Sequence, residues 1–133
     1  MPGLSASLRS FIAEEPVGVL GTTRADGSVR QSVVYHVLDG DRVLISTESK
    51  RAKAHDVQRT GRASYCVLGH EQPFPSVTVE GPARILTEGI GEPTTQIFAK
   101  ISGATPEKRL TDDDLVAVDR VILELTTSTA SRI

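Results

Sequence analysis

The chain has 133 residues, 38% of them hydrophobic and 24% charged, which is the size and composition of one globular domain. Its net charge of -2 argues against a protein that coats nucleic acid or acidic membranes, and its single cysteine excludes an internal disulfide. Because it also lacks an apolar run of roughly 18 residues and a signal-peptide pattern over residues 1–16, we expect a cytoplasmic single domain over residues 1–133, with neither nucleic acid nor membrane as partner.

The first third of the chain is predicted to form a short helix and an antiparallel meander. Apolar residues at helical spacing predict an amphipathic helix over residues 4–14. Strands rich in β-branched residues are predicted at 17–24, 28–38 and 42–47. Turns containing Gly27 and Gly40 join them, and these turns are too short for the crossovers of a parallel sheet. The glycines of the first strand, Gly18 and Gly21, are expected where another backbone approaches closely.

The rest of the chain alternates between helices and strands. Helices are predicted at 49–60 and 93–102, each followed by glycine, and Thr111 before three aspartates predicts an N-capped turn. Further strands are predicted at 62–68, 76–87 and 120–126, and Pro82 indicates an edge or a bulge in the middle one. Six strands in mostly antiparallel order, with a helix between the third and fourth, predict a small closed or split β-barrel.

The sequence contains no motif typical of a metal site or a hydrolase. The three histidines are predicted on a strand, a helix and a loop, without the spacing of metal ligands: His36, His55 and His70. Cys66, in mid-strand, is typical of a small buried hydrophobe. We therefore predict no metal site and assign no catalytic side chain. Tyr35, His36 and Tyr65 are the possible proton donors, although packing in or near the core explains them better.

A cluster of hydroxyl and basic residues lies where the third strand gives way to a helix. Ser46 and Thr47 end the strand, and Lys50, Arg51 and Lys53 crowd the first turn of the helix. Cations there oppose the helix dipole at a cost of a few tenths to about 1 kcal/mol each. They become favourable when an anion binds, because free N–H groups, the dipole and the cations then converge on a phosphate. A solvated basic face of a surface helix explains the same spacing equally well.

The order of several segments along the chain carries a family resemblance. The segments are GVLGTTRADGSVRQSVVYHV, LISTESKRAKAHDVQRTGRASYCV and VTVEGPARIL, followed by a helix, an acidic capped turn and RVILEL. In this order they resemble the flavin-binding split-barrel superfamily of pyridoxamine 5'-phosphate oxidase, and more closely its deazaflavin-dependent branch. The resemblance implies a mainly β, six-stranded antiparallel split β-barrel of the FMN-binding type. It also implies a homodimer with a cofactor in each groove between the subunits.

The resemblance assigns cofactor-binding roles by position. Arg51 and Lys53 would hold the cofactor phosphate, with Ser46, Thr47 and Lys50 nearby. Four residues of the second strand would lie against the tricyclic ring: Arg30, Gln31, Ser32 and Val33. Phe74 would reach the cofactor from the second subunit. The chain departs from common patterns because it has no tryptophan and has Val33 where relatives can carry a polar residue.

Coenzyme F420 is the cofactor expected from this comparison, with FMN as the alternative. FMN ends at its phosphate, whereas F420 continues into a glutamate tail that extra basic groups such as Arg30, His55 or Arg59 would favour. F420 would make the protein a reductase of small conjugated or quinone-like compounds, and FMN an oxidase or reductase. A non-catalytic carrier of flavin or F420 is a third alternative. Turnover of pyridoxamine phosphate is disfavoured, because residues 129–133 lack the basic, histidine-containing tail of the true oxidases.

Overall fold

A computed structural model of the chain describes residues 3–103 and 109–132. In chain order its elements are α1 (Ala6–Glu14), β1 (Val17–Thr23), β2 (Val29–Asp39), β3 (Arg42–Glu48), α2 (Ala52–Thr60), β4 (Arg62–Leu68), β5 (Ser76–Leu86), α3 (Gly91–Ser102), α4 (Asp112–Val116), β6 (Arg120–Thr126) and β7 (Thr129–Arg132). None of the helices in these ranges is long and apolar enough to cross a membrane.

Six of the strands close into an antiparallel barrel. Their order is β4-β1-β2-β3-β6-β5, and β5 pairs with β4 to complete the ring. Gly27 and Gly40 have φ values of 90° and 63° in the two tight turns of the meander, which side chains other than glycine rarely tolerate. The structure thus confirms the mainly β, six-stranded antiparallel barrel predicted from the sequence.

Strand β5 has two successive neighbours on one side. The missed strand β7 pairs with Val77–Glu80, and β6 pairs with Ala83–Leu86 on the same side of β5. On its other side β5 pairs with β4 without interruption from Ser76 to Pro82. Pro82 therefore marks the place where β5 changes neighbours and not the outer edge of the sheet.

The barrel splits between β2 and β3. Residues Val29–Tyr35 of β2 pair with β1, whereas β3 pairs only with His36–Asp39. Beyond His36, β3 continues along β6 through Ser46–Glu48. On the side away from β1, residues 29–35 thus have no strand partner in the described part of the chain, and their backbone groups on that side are left for another partner.

Helix α3 lies against this split because of a second apolar core. The first core fills the barrel, with Leu20, Val43, Ile45, Val79, Leu123 and Leu125 among its buried residues. The second packs α3 and α4 against the outside of β3 and β6, through Leu44, Ile90, Ile97, Leu115 and Ile122. Burying the apolar side of α3 in this way leaves its Phe98 and Ile101 half-exposed beside the open edge of β2.

Tyr65 fills the space beside Gly18 inside the barrel. A Cβ atom built on Gly18 would lie 2.4 Å from Cζ of Tyr65, so it is this ring, and not a neighbouring backbone, that requires glycine. Around Gly21 the closest atom is the carbonyl oxygen of Ser64 at 3.6 Å, an ordinary contact. The predicted close backbone approach is therefore wrong at both positions.

Candidate functional site

A groove of about 350 Å³ lies in the split between β2 and β3. Its floor comes from the ends of the two parting strands, and its sides come from the start of α2, the exposed side of α3 and the start of β6. One end is polar and cationic, and the other is apolar. This arrangement suits a ligand with a flat apolar body and an anionic end.

The polar end collects residues from three elements. They are Ser46, Thr47 and Glu48 of β3, Arg51 and Lys53 at the start of α2, and Arg120 of β6. Four of them, Ser46, Thr47, Arg51 and Lys53, are residues that the sequence assigned to a phosphate site. Glu48 lies between two of the cations, 3.7 Å from Nε of Arg51 and 3.8 Å from a terminal nitrogen of Arg120.

Helix α2 presents an uncapped N-terminus to this end of the groove. It begins at Ala52, with Arg51 as its N-cap, and not at Ser49 as predicted; the Ser49 amide bonds instead to the Asp119 carbonyl. Arg51 gives no side-chain cap, and the first turn contains no acidic residue. Within the described ranges the amides of Ala52 and Lys53 find no hydrogen-bond partner. Free amides and the positive end of the dipole therefore favour an anion here.

Lys53 is a half-buried cation without an ion pair among the described residues. Burial first, and then repulsion from Arg51 and Arg30, lower the pKa of its ammonium group, while Glu48 acts in the opposite direction. Three positive charges thus act on one another here, and although Asp56 pairs with Arg30 and Glu48 lies beside Arg51, Lys53 has no carboxylate of its own among the described residues. A bound anion would relieve that repulsion.

The hydroxyl of Ser46 is a buried polar group without a partner. Its Oγ is inaccessible to solvent and makes no hydrogen bond to any residue that the structure describes. A buried hydroxyl left unpaired costs about 1–3 kcal/mol, and such groups are rare in native proteins. Ser46 and Lys53 line the same groove, so a change of the Ser46 rotamer would let this hydroxyl donate a hydrogen bond to an anion bound there.

The apolar end lies between β2 and α3. Val33 and Tyr35 project from β2, with 72% and 45% of their surfaces exposed. Phe98 and Ile101 project from α3 with 42% and 45% exposed. These four side chains can cover the two faces of a planar ring while the open backbone edge of β2 remains available to its polar rim.

The other predicted site residues are separated from this groove. Arg30 donates from Nε to Asp56 at 2.8 Å, and Lys50 pairs with Asp119 at 3.1 Å. Gln31 lines a second trough, of about 720 Å³, on the outer face of β1, β2, β4 and β5. Phe74 is 55% exposed in the loop before β5, outside the groove of its own chain. Ser32 is half-buried on β2.

Two of the three possible proton donors lie in the core. Nδ1 of His36 is 2.6 Å from the Tyr65 hydroxyl, and its Nε2 is 2.7 Å from the Ile12 carbonyl. Burial lowers the pKa of His36 to about 4 and raises that of Tyr65. Tyr35 lies in the groove instead. Within the described ranges, no group of three potential metal ligands comes together.

The groove residues that sequence analysis does not assign to the site include Arg120, Tyr35, Phe98 and Ile101. Arg120 was visible only as the first residue of the last strand, and its place opposite Glu48 follows from the β3–β6 register. Tyr35 was considered only as a proton donor. Phe98 and Ile101 are apolar residues at helical spacing, a pattern that predicts a buried stripe, whereas 42% and 45% of their surfaces are exposed. Only the docking of α3 on the barrel shows which apolar residues of this helix are buried and which line the groove.

Comparison with known proteins identifies this architecture. The sequence model of the family described as pyridoxamine 5'-phosphate oxidase matches residues 4–131. No curated protein is similar enough to count as a match.

Several solved structures share the fold at low sequence identity. A conserved hypothetical protein from Mycobacterium tuberculosis matches with a TM-score of 0.77 and 20% identity, over 99% of this chain and 85% of that one. An F420 reductase matches with a TM-score of 0.76 and 20% identity, over 96% and 98%. A FAD-binding protein from Mesorhizobium loti matches with a TM-score of 0.71 and 18% identity, over 97% and 94%.

Proposed function

The chain belongs to the pyridoxamine 5'-phosphate oxidase family, and on that premise we propose that its groove binds coenzyme F420 and that the protein is an F420-dependent reductase. The observation that carries this proposal is that the Ser46 hydroxyl, the Lys53 ammonium and the first amides of α2 line one groove and have no partner among the described residues. Together these groups offer hydrogen-bond donors and positive charge to one phosphate. Unsatisfied hydrogen-bond donors and positive charge at a helix N-terminus are what a phosphate site requires.

The phosphate of the cofactor would bind at the polar end of the groove. Lys53 and Arg51 would supply the charge, the amides of Ala52 and Lys53 would point along the dipole, and the Ser46 hydroxyl would donate from the floor. Thr47, which is buried in the same wall, would add a second hydroxyl.

The ring of the cofactor would bind at the apolar end. Val33 and Tyr35 would support one face, and Phe98 of α3 would limit the access of water to the other. The open edge of β2 offers backbone donors and acceptors, which suit the carbonyl and N–H groups along the rim of a flavin or deazaflavin.

F420 is favoured over FMN by charge beyond the phosphate corner. Arg120 adds a further cation to the lining of the groove and would suit the anionic tail that F420 carries and FMN lacks. An F420 reductase with the same fold over almost the whole of both chains supports the same choice. FMN remains the alternative, since the phosphate corner fits both.

A bound deazaflavin supplies hydride transfer to an electron-poor double bond. The chain's own residues would hold the ring, exclude water and shape the place for a small conjugated or quinone-like substrate. Tyr35 is the one of the three possible proton donors that reaches the groove, so its hydroxyl is the candidate to move a proton to the reduced substrate. His36 and Tyr65 are hydrogen-bonded to each other in the core and would have a structural role.

We propose further that the protein is a homodimer. The exposed residues Val29, Gln31, Val33 and Tyr35 form one row along β2 that runs from the second trough into the groove. A second copy seated on that trough would bury Val29, which is 62% exposed, and would narrow the open mouth of the groove. Phe74, exposed on its loop, is then available to the neighbouring subunit. Sedimentation tests the assembly: a dimer that dissociates in the Val29→Glu variant is expected, and a monomeric wild type would contradict it.

Reoxidation of reduced F420 by menadione, a naphthoquinone, tests the reductase against a carrier. If the protein is a reductase, it will accelerate the return of the oxidised deazaflavin absorbance relative to free F420, and Tyr35→Phe will slow it. If it binds F420 without accelerating reoxidation, it is a carrier. If instead it binds FMN in preference and consumes oxygen with it, the oxidase alternative replaces the F420 proposal.

A further inference from the structure

The polar end of the groove contains a carboxylate as well as cations. Glu48 is the last residue of β3 and lies opposite Arg120 in the register of β3 with β6. Its carbonyl accepts a hydrogen bond from the Arg51 amide at 3.0 Å, in the turn that leads into α2. Its carboxylate lies 3.7 Å from Nε of Arg51 and 3.8 Å from a terminal nitrogen of Arg120. A negative charge is thus built into a corner that otherwise suits an anion.

The charge of Glu48 acts on each cation that lines the groove among the described residues. Arg51 and Arg120 are its ion-pair partners, and it also raises the pKa of Lys53 against the effects of burial and of the neighbouring arginines. With 39% of its side chain exposed, the carboxylate is neither removed into the core nor fully surrounded by water. Its charge therefore remains part of the electrostatic field that a ligand in the groove meets.

The two candidate cofactors differ in charge at the phosphate itself. FMN ends in a phosphomonoester, which carries about -1.5 to -2 charges at pH 7. The phosphate of F420 is esterified on both sides and carries a single negative charge. The cations of the groove attract both forms, whereas Glu48 repels every negative charge that is added. A carboxylate at this place therefore reduces the gain in affinity that the second charge of a monoester would bring.

We propose that Glu48 is a specificity-determining residue, which weakens the binding of a terminal phosphate relative to a phosphodiester. This inference rests on the proposed cofactor site and gives that site a second reason, besides the charge of the tail, to favour F420 over FMN. Two other roles of Glu48 predict different results. If it only holds the arginines in place, its loss will weaken both kinds of phosphate alike. If it only competes for their hydrogen-bond donors, its loss will strengthen both alike.

The test compares FMN with the methyl ester of its phosphate, because these two ligands share the ring and differ by one ionisable oxygen. Fluorescence titration gives the ratio of the two affinities in wild type and in Glu48→Gln. The variant is expected to favour FMN about 10-fold more than wild type does, which corresponds to about 1.4 kcal/mol for the repulsion between two charges in a partly screened groove. Riboflavin, which has no phosphate, is expected to bind both proteins equally. The same pair of phosphates on the deazaflavin ring repeats the comparison with the ring of F420.

Further variants separate the charge of Glu48 from its shape. Glu48→Asp keeps the charge and is expected to keep the ratio of wild type. Glu48→Thr removes the charge with a residue suited to a strand, and it replaces Glu48→Gln if that variant does not fold. The matched control is Glu92→Gln, which removes the same charge from an exposed ion pair with Arg109 outside the groove. It is expected to keep the ratio of wild type.

The outcomes distinguish this inference from the function on which it rests. An unchanged ratio in the variants that remove the charge, or an equal gain or loss for FMN and its ester, would overturn the specificity role of Glu48. A wild type that binds neither F420 nor FMN nor the ester would overturn the proposed function itself.

Discussion

Replacing Ser46 by alanine is expected to change stability and ligand affinity in opposite directions. The Ser46 hydroxyl is buried without a partner in the described part of the chain, so the ligand-free protein carries its full desolvation cost of about 1–3 kcal/mol. Removing one oxygen leaves a cavity that costs only about 0.4 kcal/mol. The free energy of unfolding should therefore rise by about 1 kcal/mol or more in the variant.

Ligand binding should show the reverse effect. A hydrogen bond from Ser46 to a phosphate is charge-assisted and contributes about 1.5–3 kcal/mol, so Ser46→Ala should bind F420 or FMN about 10- to 150-fold more weakly. Thermal unfolding of the ligand-free protein measures the first effect, as a rise in Tm of about 3–5 °C. Fluorescence titration measures the second.

Thr127 provides the matched control, because its Oγ1 is also a buried hydroxyl without a partner among the described residues and it lies outside the groove. Thr127→Val should stabilise the protein in the same way and leave the affinity for cofactor unchanged. The reasoning would be refuted if Ser46→Ala lost stability, or if it bound cofactor as well as wild type does.

Two further predictions concern stability alone. Gly18→Ala should lower the free energy of unfolding by about 3–5 kcal/mol in urea titrations, because its Cβ would displace the Tyr65 ring and break the hydrogen bond between Tyr65 and His36. Gly21→Ala has space for its Cβ and should change that free energy by less than about 1 kcal/mol. Equal effects of the two substitutions would contradict the packing argument. A hydrogen bond to Glu15 and the charge of that group raise the pKa of His70, so protonated His70 stabilises the fold. Relative to His70→Gln, wild type should have a higher Tm at pH 5.5, and the difference should disappear as the pH rises through the pKa of the folded state; a difference that persists at pH 8.5 would contradict the ion pair.

The barrel could be predicted from sequence because each of its strands and turns is specified by a pattern within a short stretch of residues. Alternation in β5 places Val77, Val79 and Ala83 on one face, and all three are buried as the pattern predicts. Strand β7 was missed because Thr129–Arg132 is short and polar and has no alternation of its own. It becomes a strand only because β5 offers it an open edge beyond β6.

The site could be predicted only in part, for a related reason. Most residues of the phosphate corner come from one short stretch of sequence, residues 46–53, so Ser46, Arg51 and Lys53 could be grouped by spacing. The apolar wall could not, because Phe98 comes beside Val33 only through packing between distant elements. Nor could any local pattern show that Arg30 binds Asp56.

Titration of the purified protein with F420 and, separately, with FMN tests the central claim most directly. Wild type should bind F420 more tightly than FMN, and the Arg51→Ala/Lys53→Ala variant should lose both. The control Arg24→Ala/Arg109→Ala removes the same two charges from exposed sites outside the groove and should bind as wild type does. A wild type that binds neither ligand, or a groove variant that binds as tightly as the control, would contradict the assignment of this groove as a cofactor phosphate site.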